Sequence, residues 1–435
     1  MVAYGLPALA FSVPTIPVYV YLPSFYAEDL GLGLAVTGLI LLAMRVFDLV
    51  SDPLVGVLSD RLVTRLGRRK PWIAIGAGAA GLALVMLFAP PQGVSAIYLA
   101  VWTGVLYLGW TMVAVPYSAW GAELSDDYDL RTRITAVREG LSVVGILMAA
   151  ALPFGLGLMG WGQAAQLAGV AVATLLIGAP LVVIALARVP EARGPTRQTS
   201  FSLTEIGRSL SANAPFRRLL MAWFVNGLAN GLPAVLLPLY LRHQLGADAT
   251  ATAGLIFVYF AAAVVLLPLW DRLSRTTSKN RAWVFAMTVA IAAFIWVPLI
   301  DPGNLVAFGV VCAITGATLG ADLALPPAMQ ADVIDVDRAT TGQERAGLYF
   351  SLWSMAAKLA LAAAVGMAFP LLGWSGLEQG EDRGRVLLVA LYAGVPVALK
   401  LAACALIWQY DLGRAKHAAL REKIAQNHHP WENTQ

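Results

Sequence analysis

Charge is scarce in this chain. Only 13% of its 435 residues are Asp, Glu, Lys or Arg, and 59% are hydrophobic, whereas a water-soluble protein carries roughly twice that charged share. The mean hydropathy of +0.70 argues against a soluble enzyme and excludes disorder or a collagen-like repeat. Cysteine is rarer still. Cys312 and Cys404 both lie in apolar runs, where they read as small buried hydrophobes, so a disulfide scaffold is excluded. Of four histidines, His243 sits beside a loop and His417, His428 and His429 lie in a polar tail; no Ser–His–carboxylate set, metal-ligand set or other enzyme site stands out. No GxxxxGK[ST] loop occurs, so uphill work needs an ion gradient rather than ATP bound by this chain. The one GxGxxG match, Gly76 to Gly81, falls inside an apolar run, where small residues let helices approach closely instead of cradling a pyrophosphate.

Long apolar runs are what the chain has in abundance. A hydrocarbon core about 30 Å thick needs roughly 20 apolar residues per helix, which leaves room for about a dozen crossings. The runs fall near 3–26, 34–59, 71–90, 96–122, 134–158, 164–187, 217–242, 250–271, 282–300, 305–330, 346–372 and 386–410. The first lacks a basic leader and is too long for a signal core, so it is expected to remain as a span. The reading is an all-α membrane protein of twelve transmembrane helices in two six-helix bundles, residues 1–187 and 217–410, with a linker over 188–216 and a tail over 411–435. Net charge is +4, yet the basic residues do not form the single soluble face that nucleic acid requires. They collect in every second connection, as in Arg61, Arg65, Arg68, Arg69 and Lys70, and the alternate connections hold only Arg242, Arg383 and Arg385. By the positive-inside rule both termini face the cytosol of a cytoplasmic (inner) membrane.

The halves repeat each other in register. Asp60, Arg61, Arg68 and Trp72 correspond, at a constant offset of 211, to Asp271, Arg272, Lys279 and Trp283, and Pro116 corresponds to Pro327. Parallel six-span halves point to a transporter with its substrate site between them near the midplane. Pro7, Pro14, Pro17 and Pro23 in the first span, and Gly227, Gly231, Pro233 and Pro238 in the seventh, lead us to expect a pair of irregular helices beside a moving cavity.

Ionisable residues stand where they are costly, since a charge at the middle of a membrane helix costs roughly 2.5–3.5 kcal/mol on insertion scales. Arg45, Asp48 and Asp52 have spacings that stack them on one helical face. Two carboxylates four residues apart can jointly offer oxygens to a small hard cation, Na⁺ or H⁺, and Arg45 can hold a carboxylate; a salt-bridge network at the helix end is the structural alternative. Arg138 in the fifth run and Lys358 in the eleventh are expected to face the cavity, to bind solute oxygens or to neutralise the ion site when it is empty. Glu139 reads as a structural partner, and Lys400 as a weaker candidate because one lysine can snorkel. Asn226 and Asn230, four apart, can hydrogen-bond a polyol or another helix. Tyr19, Tyr21, Trp110 and Trp353 can offer flat faces to a sugar ring or an acyl chain.

Several segments together resemble a known family. Gly56-x-x-x-Asp60-Arg61 with Gly67-Arg68-Arg69 resembles the loop between spans two and three of the major facilitator superfamily. Arg45 to Pro53, Val115-Pro116-Tyr117-Ser118, Ala331-Asp332-Val333-Ile334-Asp335 and a lysine on span eleven resemble the glycoside–pentoside–hexuronide:cation symporters. The resemblance covers almost the whole chain and implies the twelve-helix fold and alternating access. In that family the carboxylates matching Asp48 and Asp52 bind the coupling Na⁺, Li⁺ or H⁺, the lysine matching Lys358 lies close by, and the arginine matching Arg138 contacts sugar. The melibiose branch holds sugar hydroxyls with acidic residues where Ser12 and Ala114 stand here, and stacks a tryptophan where this chain has Ser118, so cation coupling carries over better than galactoside recognition. Sodium-dependent lysophospholipid symporters resemble the same framework.

The expectation is a secondary active symporter, functional as a monomer, that couples Na⁺ or H⁺ entry to uptake of a glycoside or similar polar solute, with no cofactor. Its rivals are a lysolipid symporter and a non-transporting receptor or scaffold. Asp48 and Asp52 would hold the ion, with Lys358 and Arg45 coupling, and Arg138, Ser12, Asn226, Asn230 and Trp353 would meet the solute. Asp60, Arg61, Arg68, Arg69, Asp271, Arg272, Asp332 and Asp335 would form a cytoplasmic gate.

Overall fold

A computed structural model describes residues 1–61, 64–124, 128–191, 213–341, 346–408, 410 and 412. Most of the linker, the tail from 413 onward and the Asp60 side chain lie outside the described set. Among the described residues twelve helices are long and apolar enough to cross a membrane: α1 Val2–Asp29, α2 Leu34–Ser59, α3 Lys70–Phe88, α4 Ala96–Gly121, α5 Arg133–Leu158, α6 Gln163–Arg188, α7 Ala214–Leu245, α8 Ala249–Thr276, α9 Lys279–Leu299, α10 Leu305–Asp337, α11 Leu348–Trp374 and α12 Asp382–Trp408. They match the twelve apolar runs, because in lipid a run of that length satisfies its backbone only as a helix.

Two of these helices are irregular. In α1 the α-helical segment Val2–Ser12 gives way to π-helical turns at Pro17–Tyr21 and Phe25–Asp29. Each proline lacks an N–H and crowds the carbonyl four residues back, and a wider turn relieves that crowding. The expected partner in irregularity, α7, is instead one continuous helix through Pro233 and Pro238. Its glycines serve packing: a Cβ on Gly227 or Gly231 would lie 3.1 Å from the methyl groups of Ala360 and Ala364 on α11. The second broken helix is α12, with a π-helical segment at Ala390–Gly394.

Within each half, small residues bring helices into backbone contact. Gly76 on α3 meets Gly109 on α4 and Gly316 on α10 meets the Tyr259 carbonyl on α8. Between halves, two seams close at the end that carries the α1–α2 and α7–α8 connections. At the first, Gly38 of α2 sits on Phe369 and Pro370 of α11, and Gly366 on Leu42. At the second, Phe154 of α5 stacks on Phe257 of α8 with ring centroids 5.9 Å apart. Polar groups stitch the same end. Arg242 pairs with Glu28 at 2.7 Å and Asp29 at 2.9 Å, His243 reaches Glu28 at 2.6 Å, and the Leu34 N–H donates to Glu378 at 2.8 Å.

At the opposite end the basic loops fold onto their own halves. Arg69 is buried and donates to Glu123 at 2.7 Å and Ser59 at 3.0 Å, while the backbone N–H groups of Arg68 and Arg69 both donate to Glu191. In the second half Lys279 grips Asp332 at 2.7 Å. Asp271 pairs with Arg275 one turn along, and Arg61 and Arg272 are exposed.

Gly316→Val places a Cβ 2.1 Å from the Tyr259 carbonyl oxygen, an overpacking worth at least about 1–3 kcal/mol. The expected result is a lower melting temperature and loss of monodisperse protein in detergent, whereas Gly140→Val, whose Cβ would meet nothing within 4 Å, should match the wild type.

Candidate functional site

The helical spacing of α2 places Arg45, Asp48 and Asp52 one above another, and the α2–α11 seam brings Lys358 onto them. The Lys358 ammonium lies 3.0 Å from Asp48 Oδ2 and 2.6 Å from Asp52 Oδ2. From the other side, Thr111 of α4 contacts both remaining oxygens, Asp48 Oδ1 at 3.0 Å and Asp52 Oδ1 at 2.8 Å. A hydroxyl has one hydrogen, so these two carboxylate oxygens must share it. Thr111 Oγ1 thus bridges one oxygen from each aspartate, and an all-oxygen set of this kind suits a hard cation.

Arg45 is positioned to leave those oxygens available. Its guanidinium lies between the rings of Tyr19 and Tyr107, 4.5 and 4.3 Å from their centroids, contacts worth up to about 2 kcal/mol each when desolvated. Its Nη1 reaches Asp48 Oδ2 at a long 3.4 Å, and its buried Nη2 has no hydrogen-bond partner. Asp48 is nearly sealed, at 5% side-chain exposure, while Asp52 and Lys358 are 28% and 26% exposed. Two positive and two negative charges balance in this cluster. An added cation would leave it with a net positive charge, which favours release of Lys358.

The other expected residues lie elsewhere. Ser12 is buried and shares a hydrogen bond of 2.7 Å with Ser142 across the α1–α5 contact. Arg138 pairs with its neighbour Glu139 at 2.6 Å and remains partly exposed. Trp353 is buried and stacks on Trp223 at 4.5 Å. Asn226 and Asn230 both donate to a buried carboxylate, Asp322 of α10, at 3.0 and 2.7 Å. Trp283 donates to the same carboxylate, and Lys400 donates to the Asn226 carbonyl oxygen at 2.9 Å. The structure thus gathers Arg45, Asp48, Asp52 and Lys358 at one site and Asn226, Asn230 and Lys400 at another, inside the second half.

Thr111 and Asp322 escape the sequence pattern for different reasons. A threonine in an apolar run carries no distinguishing cost, so nothing marks Thr111. Asp322 is a charge amid the tenth run and answers to the same rule that singles out Asp48. The repeat offers a further signal, as Thr111 and Asp322 stand 211 positions apart, like the loop residues. Glu28, Asp29 and Arg242 sit at helix ends, where charge is ordinary.

Comparison with known proteins agrees with this architecture. Residues 3–414 match the family model described as MFS/sugar transport protein. A putative glycoside/cation symporter, YagG of Escherichia coli, is 25% identical, with 97% of this chain and 94% of that protein covered. The sodium-dependent lysophosphatidylcholine symporter 1-A of Danio rerio is 24% identical over 83% of this chain and 75% of its own length. The crystal structure of the nucleoside transporter NupG is similar in fold, with a TM-score of 0.67, 13% identity, and coverage of 93% of this chain and 98% of that one. With a match across nearly its whole length and twelve spans in two repeated halves, the chain belongs to the MFS/sugar transport family, among the glycoside–pentoside–hexuronide:cation symporters of the major facilitator superfamily.

Proposed function

We propose that this protein is a secondary active symporter of the cytoplasmic membrane, with both termini in the cytosol, that couples entry of Na⁺ or H⁺ to uptake of a glycoside or similar polar solute. The observation that carries the reading is the paired carboxylates of Asp48 and Asp52, bridged on one side by the Thr111 hydroxyl and on the other by Lys358 from the opposite half. Lys358 stands in for the ion on the opposite oxygens and yields when the ion binds, so the cluster never carries two uncompensated carboxylates in low dielectric. Because Asp48, Asp52 and Thr111 belong to one half and Lys358 to the other, ion binding changes what holds the α2–α11 seam together, and this is the coupling. Residues 1–187 and 217–410 are the two bodies that rock about it, while the end stitched by Arg242 and His243 is the closed outer face. One elementary charge crossing about 100 mV releases roughly 2.3 kcal/mol, sufficient for an appreciable solute gradient at one ion per solute. Arg138 and Ser12 line the solute path in this reading.

One observation favours a lysolipid as the solute instead. A cavity of about 290 Å³ in the first half, lined by Phe11, Leu84, Trp110, Leu175 and Val183 with Gly78 at its wall, is apolar enough for a hydrocarbon tail.

Uptake by purified protein in liposomes, screened over monosaccharides, disaccharides, glucuronides and lysolipids with and without a sodium or proton gradient, tests the assignment. Asp48→Asn and Asp52→Asn are each expected to abolish ion-stimulated uptake while the protein stays folded in the membrane; undiminished stimulation in both would overturn it. Thr111→Val should weaken apparent ion affinity by about tenfold, in line with roughly 1.5 kcal/mol for a hydrogen bond to a charged group, read from the ion dependence of the initial rate. Lys358→Ala should separate ion binding from transport, leaving ion affinity unchanged or higher while gradient-driven accumulation falls.

A further inference from the structure

The polar cluster of the second half shares no hydrogen bond or ion pair with the groups on α2 among the described residues. Asp322 is buried and accepts from three N–H donors, of Asn226, Asn230 and Trp283. Donors on both oxygens leave the carboxylate few lone pairs to offer a cation. Lys400 of α12 presents the opposite case. It is 3% exposed, its amine makes one hydrogen bond, to Asn226 Oδ1, and no carboxylate lies within salt-bridge distance of it among the described residues. A buried ammonium with a single acceptor is under-satisfied.

Beside Lys400 is a cavity of about 50 Å³, lined also by Asn230, Tyr259, Thr315 and Thr318 and reaching Val20 of α1 at the boundary between the halves. That volume holds a few waters, and its wall supplies the polar partners that buried water requires. Two π-helical segments border it, through Val20 on α1 and Tyr392 on α12, and π-turns of this kind are frequent at functional sites. The titratable and charged groups around the amine are Asp322 and Cys312 on α10, Tyr259 on α8, and Tyr392 and Cys404 on α12. Asp322 is occupied by its three N–H donors. The remaining neighbours are weak acids, which leaves the lysine as the group in this cluster able to exchange a proton.

We infer that Lys400 and the cavity beside it form a second ion-exchanging site, whose ligand is a proton. Both states fit the same geometry. The ammonium is balanced by Asp322 through the Asn226 amide, and the neutral amine still donates to Asn226 Oδ1. The proton enters and leaves through the water of the cavity, from the side of α1, so protonation is coupled to the boundary at which the halves move. This site is distinct from the carboxylate pair of α2 and is tested independently of it.

The test uses full-length protein in liposomes on a solid-supported membrane, with no solute and no sodium, and reads the transient charge displacement after a pH jump in the neutral-to-alkaline range. The wild type is expected to give a displacement current. Lys400→Arg, whose guanidinium does not deprotonate, and Lys400→Gln are each expected to reduce it to background. Asp48→Asn combined with Asp52→Asn should retain the pH-jump current and lose the current evoked by a sodium jump, or by a proton jump on the acidic side if the proton is the coupling ion. Lys400→Arg keeps the positive charge and carries the test if the glutamine variant does not fold. No current in the wild type, an unchanged current in Lys400→Arg, or its loss in the carboxylate double variant would each overturn the proposal.

Discussion

Neutrality inside hydrocarbon is the constraint on which this structure depends. Asp48 and Asp52 sit on one face of α2 with four oxygens between them, and the protein supplies one ammonium, one hydroxyl hydrogen and a long 3.4 Å contact from Arg45 against those oxygens. Arg45, the nearest arginine, is drawn aside by two tyrosine faces. A guanidinium in bidentate contact would satisfy the pair permanently; the aromatic clamp supplies the charge without closing the site. The result is a carboxylate pair compensated in charge yet short of donors, a condition that suits reversible occupancy by a small cation.

The two halves share a scaffold but not a chemistry. Position for position, Thr111 of the first half answers to Asp322 of the second, and their surroundings are inverted: oxygens face oxygens around Thr111, while N–H groups surround Asp322. Internal repetition supplies two similar bundles, and substitution within them has produced one cluster in which a hydroxyl and a lysine face two carboxylates and another in which N–H groups surround a single carboxylate. Lys358 and Lys400 belong to the same half yet act on different neighbours. One reaches across the seam, and the other stays within its own bundle.

Much of this is legible in the sequence because membrane burial leaves few options. Twelve apolar runs become twelve helices, and the spacing of Arg45, Asp48 and Asp52 survives folding as a single face. The proximity of Lys358 to that face comes from the resemblance to known symporters and the seam contact, since no periodicity links residues on α2 and α11. The irregular helices show the limit of composition. Proline marks α1 correctly, but α7 keeps its helix through two prolines and uses its glycines to meet Ala360 and Ala364, while α12 breaks at Ala390–Gly394, ahead of Pro396. Whether a proline bends or breaks a helix depends on neighbours that can receive the freed carbonyls, and those neighbours are tertiary. Asn226 and Asn230 illustrate the same limit, for their spacing is visible in the chain while their shared acceptor on α10 is not.

The stitched end differs in kind from the cluster at the centre. Arg242, His243, Glu28 and Asp29 meet at helix termini, partly exposed, where mobile ions can reach them, while the groups on α2 are screened little. Attraction between such surface charges decays over a Debye length of about 8 Å at physiological ionic strength and extends further in dilute media. The clasp between the halves is accordingly tightest in fresh water and loosest in brine, so the salinity of the compartment it faces helps set how often the molecule opens on that side.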